Sequence, residues 1–549
     1  MKIYEALARA FAAEGTTAVF DMMGDANMYW LNALAALGVD IYDVRHEGAG
    51  LAMADGWARF TGTPGVCSTT SGPGCAQLAT TMVVASRART PLVAFCGDVA
   101  WGDEDDAQHF DQARFAAATE AGFVRLSSAD AAYSAVQTAF YRARLESRPI
   151  MLSAPLDIQQ QPFDDDETYT PSSVLLSAAP VHPNPERIRA AAEIVAQSKR
   201  PVVLVGRGAI RSAAGEAVVK LADRIGAIIA TTLLAKNWLN DADYHAGISG
   251  LYATKTATGL FQEADCVIAV GASLNHYTTE HGYLYPNAKY VQFDTAPHLM
   301  LSDGRPADCY IQSDARVGLE LLDELLEQQS VRSTGYRTAD VRAQLAAAYD
   351  DPASFELEPG TLDPRAACLA LDEAVPSEFG LVLGSGQQVR FGTMLLQRPR
   401  PFILAQHHFG CIGQGLTTAI GAVIASGKKP ALLIEGDGGF MMHLAEFETA
   451  VRYDLPLLVV VMNDQGLGAE YHKSVAIGLN GELARISTPD LGRVGAALGG
   501  RGALVRTLDE LRRAAEEFVV QPGPMLLDVR ISPTVLSIPY RRLFYGQDV

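Results

Sequence analysis

Two short runs in the last third of the chain combine residue types and spacing suited to chemistry: GDGG at 436–439 and NDQG at 463–466. Each follows an apolar run that reads as a buried strand, the first ending at Ile434 and the second at Met462. Gly436, Gly438 and Gly439 would let backbone N–H groups approach phosphate oxygens where a strand hands over to a helix, and the start of that helix favours negative charge. Asp437 offers a hard oxygen ligand for Mg²⁺ or Ca²⁺, the ions that bridge protein carboxylates to diphosphates. The second run delivers Asn463 and Asp464 to the same sheet edge, where ligands of open α/β sheets bind. Taken singly, both runs also read as ordinary strand-end turns, since DG and ND are common turn dipeptides.

A third candidate lies near the other end, where IYDVRHEGAGLAMADGWAR places Glu47 after a strand and before a small-residue helix. Alone, Glu47 reads as a helix N-terminal acid favoured by the helix dipole. The elements that must position these residues are short apolar runs alternating with helical patterns, which predicts parallel sheets covered by helices. Polar stretches between Asp164 and Asn184 and between Gln328 and Pro364 divide the chain into three blocks. The expected fold class is therefore α/β, with three doubly wound parallel-sheet domains over 1–170, 185–330 and 360–535, and a C-terminal tail over 536–549. The middle block opens with PVVLVGRGA, a buried strand and glycine turn, but GRG lacks the full dinucleotide fingerprint, so a supporting role is favoured there. Whether the first and third blocks share a fold stays open at this point.

Composition narrows the classes. With 63 acidic against 44 basic residues the formal charge is -19, which disfavours nucleic acid as a partner. The start of the chain reads as an amphipathic helix rather than a signal peptide, and no apolar run approaches a membrane span. Seven scattered cysteines without a CxxC pair fit reduced core thiols and a cytoplasmic setting.

GDG followed by a strand ending in NDQ resembles the thiamine diphosphate motif of the acetolactate synthase, pyruvate decarboxylase, benzoylformate decarboxylase and 2-hydroxyacyl-CoA lyase superfamily. The resemblance implies a first domain that binds the pyrimidine, a middle domain, and a third that binds the diphosphate. It implies a divalent ion, Mg²⁺ or alternatively Ca²⁺ or Mn²⁺, held by Asp437, by the residue 27 positions later, Asp464, and by the carbonyl of Gly466. Aspartate at 464 departs from the commoner asparagine, and the count passes over Asn463. By the same resemblance Glu47 hydrogen-bonds N1′ of the aminopyrimidine and activates the cofactor by proton exchange. TTSGPGCAQL, with Pro73, resembles the turn under the pyrimidine. HHFGCIGQGL resembles the segment that bends the cofactor, with Ile412 behind the bend and the Gly410 carbonyl accepting the 4′-amino proton. LVLGSGQQVRF resembles the loop on the outer phosphate, making Gly386 and Gln387 candidates.

Substrate choice rests on weaker signals. DDAQHFDQARF resembles the loop that reaches the reactive face in acetolactate synthases and 2-hydroxyacyl-CoA lyases, which makes Gln108 and His109 catalytic candidates. Glu470 falls six residues after Asp464, where the pyruvate decarboxylase branch has a catalytic glutamate; as a plain helix residue it would be exposed. His472 and Lys473 read as a solvated helix face. VIAVGASLNHYTTEHG lacks the arginine of the flavin-binding relatives, so FAD is not expected. The expected substrate is a 2-oxo acid, decarboxylated with or without carboligation. A 2-hydroxyacyl thioester cleaved by a lyase is the alternative, and a catalytically inactive cofactor-binding regulatory subunit is an alternative of another class. The resemblance further implies a homodimer or homotetramer with active sites at the subunit interface.

Overall fold

The computed structural model of the protein describes residues 1–164, 168–176, 179–296, 301, 304, 306–347 and 351–547. Parts of both expected linkers (165–167, 177–178, 348–350) and the last two residues of the tail lie outside the described residues. Three six-stranded sheets follow one another along the chain, and neighbouring strands pair in parallel. Apolar runs such as Leu92–Asp98, Pro201–Val205 and Leu457–Asn463 are buried along their whole length because helices cover both faces of each sheet.

Counting strands in chain order within each sheet, the first sheet runs 2-1-3-4-6-5 and the third has the same order. The question left open by the sequence is thereby answered: the outer blocks share one topology. The middle sheet runs 3-2-1-4-5-6, the doubly wound order of nucleotide-binding folds. One local expectation needs correction. The strand before GDGG extends over Ala431–Gly436, two residues past Ile434, so Glu435 lies inside the sheet and Gly436 caps the next helix.

The two outer blocks join through equivalent helices, Glu47–Thr61 and Gly415–Ala425, each following the second strand of its sheet. A Cβ on Gly56 would lie 2.2 Å from the Thr418 carbonyl oxygen, and one on Gly421 would lie 1.9 Å from that of Met53. This reciprocal pair of glycines lets the two backbones touch, and a single apolar core spans both blocks. The middle block grips the third through Lys236, whose Nζ donates to the Leu396 carbonyl at 2.6 Å, and through Asn237 and Asn240, which donate to the carbonyls of Leu396, Arg398 and Gln397. Those carbonyls follow the helix Gln387–Leu395, where partners for the last turn are otherwise scarce. The stretch expected as a tail carries a helix, Ile538–Tyr545, with Tyr540 and Arg541 buried.

Candidate functional site

The carboxyl ends of the third sheet bring the glycine motifs together. Gly386, with φ of 131°, caps the helix Gln387–Leu395, a conformation that favours glycine. Buried Gln387 has its Nε2 unpaired, and its Oε1 accepts from Ser537 Oγ at 3.3 Å. Asp437 opens the helix Asp437–Met442, is 2% exposed, and has no hydrogen-bond partner for Oδ2. Burial pushes its carboxyl up to about 7, against the pull of the N–H groups of Gly438 and Gly466. Burial pushes Asp464 up to about 8, and the nearby Asp437 adds to the rise. A Cβ on Gly468 would lie 2.2 Å from Asp464 Oδ2 and 3.5 Å from Gln387 Cβ, so only a glycine there lets these residues converge.

Gly466 faces both carboxylates for a reason rooted in strand geometry. It pairs with Arg485 in an isolated antiparallel bridge whose hydrogen bonds are Leu467 N–H to Ala484 O and Ile486 N–H to Gln465 O. Such a wide pair leaves the N–H and C=O of Gly466 itself directed to the other side, and its N–H points at Asp437 and Asp464. Asn463 is committed elsewhere: its Nδ2 donates to Asp528 Oδ1 at 2.8 Å and Thr488 Oγ1 at 2.9 Å, and its Oδ1 accepts the Gln465 N–H. Ahead of the helix Gly415–Ala425, Phe409 and Gly410 both take positive φ, 64° and 66°. The Arg87 guanidinium, 4.6 Å from the Phe409 ring centroid, braces this turn from the first block.

The first sheet presents a second set. Glu47 is the first residue of the helix Glu47–Thr61, half-buried, with no hydrogen bond to its carboxylate among the described residues. Its Oε1 would lie 3.3 Å from a Cβ on Gly74, so the glycine after Pro73 opens the space in front of the acid. Ser71 Oγ donates to Gln108 Oε1 at 2.5 Å, and Gly72 packs on the Gln108 backbone. Gln108 is thereby pinned beside the Pro73 turn, while His109 beside it is exposed.

Three thiamine pyrophosphate enzyme profiles match the chain in order: the N-terminal TPP binding domain over residues 1–119, the central domain over 188–325 and the C-terminal TPP binding domain over 384–529. The chain belongs to the thiamine pyrophosphate enzyme family. Relatives match along nearly the whole length. A probable 2-ketoarginine decarboxylase of Pseudomonas aeruginosa is 30% identical over 541 residues, covering 96% of this chain and 93% of the relative. A probable acetolactate synthase large subunit of Methanocaldococcus jannaschii is 28% identical, covering 97% and 92%. A sulfoacetaldehyde acetyltransferase of Castellaniella defragrans is 27% identical, covering 94% and 90%.

With the family established, the residues can be tested against its cofactor. Two buried carboxylates, with Asp437 Oδ2 unpaired, and the Gly466 carbonyl, which the wide pair leaves outside the bridge's hydrogen bonds, form a hard-oxygen set that fits a divalent cation. Among the described residues no three His, Cys, Asp or Glu form a metal group alone, so a diphosphate and water would complete the shell, as suits Mg²⁺. Gly386, Gln387, Gly436, Gly438 and Gly439 surround that set at helix starts, and Ile412 is half-buried at the neighbouring turn.

Two residues of one helix differ in burial, and only one of them departs from the solvated face expected. Glu470 lies on the open face of the helix Gly468–Ala476, paired with Lys473 Nζ at 2.9 Å. His472 is not solvated as expected: it is 5% exposed, and burial pushes its pKa down to about 4. Spacing alone misled here, because the helix Ile538–Tyr545 covers that face.

Other groups escaped the sequence reading. Glu435 is fully buried and pushed up to about 7 by desolvation; its signal was an acid ending an apolar strand. Glu446 accepts the Arg45 N–H at 3.0 Å and thereby holds the segment ahead of Glu47 from the third block. His443 is bound to the Gly413 carbonyl at 2.9 Å and packs edge-on against His46, and only the tertiary fold brings these together.

Proposed function

We propose that the protein decarboxylates a 2-oxo acid with thiamine diphosphate and a divalent metal, with or without ligation of the resulting acyl unit to an acceptor. One observation carries the reading: two buried carboxylates, Asp437 and Asp464, converge beside Gly466, and a Glu47 carboxylate with no hydrogen bond among the described residues stands at a helix start. A protein that only bound the cofactor would need the first and not the second. The relatives named as a 2-ketoarginine decarboxylase and an acetolactate synthase support the 2-oxo acid class.

Bound thiamine diphosphate would supply a carbon nucleophile and an electron sink. The protein's part is to place and exchange protons and to hold charge. Glu47 would hold a proton at its carboxylate against the pyrimidine edge, with Gly74 keeping the approach open. Asp437, Asp464 and the Gly466 carbonyl would hold Mg²⁺, Ca²⁺ or Mn²⁺, while Gly386, Gln387 and the glycines of GDGG would take the phosphates at helix starts. The Gly410 carbonyl and Ile412 would set the ring orientation. Gln108, tied by Ser71, would offer its amide N–H groups to the substrate, with His109 beside it. Glu470 would act from the mouth of the site.

We place the complete site at a contact between two copies, in a homodimer or homotetramer. In support, both outer blocks carry exposed apolar residues: Met23 and Trp101 in the first, Met442, Ile477 and Leu479 in the third. Seven free cysteines support a reducing, cytoplasmic setting. No helix among the described residues is long and apolar enough to cross a membrane.

The test is a panel of 2-oxo acids with purified protein, thiamine diphosphate and Mg²⁺, scored for CO₂ and identified products. CO₂ release that requires both additions bears the reading out. Turnover of a 2-hydroxyacyl thioester without CO₂ would replace it with the lyase, and cofactor binding without any turnover would replace it with a regulatory subunit.

A further inference from the structure

A carboxylate lies directly beneath the diphosphate loops. Glu435 is fully buried, the second-last residue of the strand Ala431–Gly436. Its Oε1 accepts the Gly436 N–H at 3.1 Å, and the N–H groups of Ser385 and Gly415 are directed at the carboxylate, although Oε2 has no hydrogen bond of normal geometry. These three amides belong to the starts of three helices: Gly436 caps Asp437–Met442, Ser385 precedes the cap of Gln387–Leu395, and Gly415 opens Gly415–Ala425. Glycines make room for the acid on every side. A Cβ on Gly384 would lie 2.4 Å from Oε1, one on Gly415 2.0 Å from Oε2, and one on Gly439 2.9 Å from Oε1.

Among the described residues, the groups that act on this carboxylate are backbone N–H donors, which counter its desolvation only in part. A buried acid under an anion-binding site works against the site unless it serves another end. The three helix starts it gathers carry Gly386 and Gln387, the Gly410–Ile412 turn, and Asp437. We propose that Glu435 is a positioning residue: an internal carboxyl acceptor that fastens three helix N-termini in the arrangement the diphosphate and its metal require. This rests on the thiamine diphosphate reading above and adds a residue to its binding half.

The experiment compares native protein with Glu435→Gln, measuring the dissociation constant of thiamine diphosphate at saturating Mg²⁺ by fluorescence quenching, and the Tm of the cofactor-free protein. The expected result has opposed signs. Replacing the buried carboxyl with an amide leaves the cofactor-free Tm unchanged or higher, whereas the Kd rises about tenfold, as for buried N–H donors that lose an acceptor. A residue that merely stabilised the fold would move both quantities in the adverse direction together. Glu435→Asp, one methylene shorter, should fall between the two. If Glu435→Gln fails to fold, Gly384→Ala presses on the same carboxylate and should weaken cofactor binding likewise. A native Kd in Glu435→Gln, or a weakened one that only tracks a lowered Tm, overturns the proposal. Native protein that binds no thiamine diphosphate would instead overturn the reading on which it rests.

Discussion

At the scale of single residues, Glu47 and the Asp437–Asp464 pair ask for different chemistry, and substitutions should separate them. Glu47→Gln keeps the shape of the helix start but cannot exchange a proton, so thiamine diphosphate should still bind while exchange at its C2–H slows about 10²–10⁴-fold. Deuterium exchange followed by NMR measures this, and a native exchange rate would remove Glu47 from its role. Asp464→Asn retains an oxygen ligand and should be tolerated, whereas Asp464→Ala should raise the Mg²⁺ requirement steeply. Asn463→Ala should behave otherwise. It takes the Asn463 donor from Asp528 Oδ1 and Thr488, so it should cost stability, about 1–3 kcal/mol, with little change in the Mg²⁺ titration. Loss of metal dependence in Asn463→Ala alone would shift the register by one residue.

Asp21 supplies a pH test away from the metal. It is fully buried, and desolvation pushes its carboxyl from 3.8 up to about 8, although Ser68 and Asn27 hydrogen-bond it. An acid whose folded pKa exceeds its unfolded value makes the folded state the tighter proton binder. Its contribution to stability should therefore be fullest below about 4, fall as pH rises, and level off above about 8. Asp21→Asn should flatten that part of the curve, which denaturant titrations at several pH values would show; an unaltered slope would mean Asp21 ionises normally.

At the scale of elements, the crossing of Glu47–Thr61 with Gly415–Ala425 carries the alignment of the outer blocks. With Cβ positions 2.2 and 1.9 Å from opposing carbonyls, either glycine replaced by alanine forces the helices apart. Gly421→Ala should destabilise by about 1–3 kcal/mol, the usual range for overpacking, as urea unfolding would measure. A neutral outcome would mean that the crossing yields without cost. The sequence carries no sign of this contact, since each glycine meets a helix some 360 residues away in the chain.

At the scale of the whole molecule, the two sets of site residues sit on separate sheets, and the proposed assembly lets each chain contribute one set to each site. Glu47→Gln and Asp437→Ala should each be inactive alone. Mixed and re-associated, half the dimers are hybrids with one intact site of two, so about a quarter of native activity should return. Activity that never returns, together with a fully active monomer in sedimentation, would place both sets in one chain's own site.

Much of this was readable in sequence because it is local. Strand runs, the glycines around Asp437 and the 27-residue step to Asp464 are short-range patterns, and they sufficed for the α/β class and the cofactor family. The tertiary structure decided what depends on distant neighbours. It committed Asn463 to Asp528, pointed the Gly466 N–H at both aspartates, and buried His472 under the C-terminal helix. It also set Glu435 against glycines from separate turns. Such facts follow from which groups a fold leaves without water, and burial of a polar atom is a property of its surroundings rather than of its place in the chain.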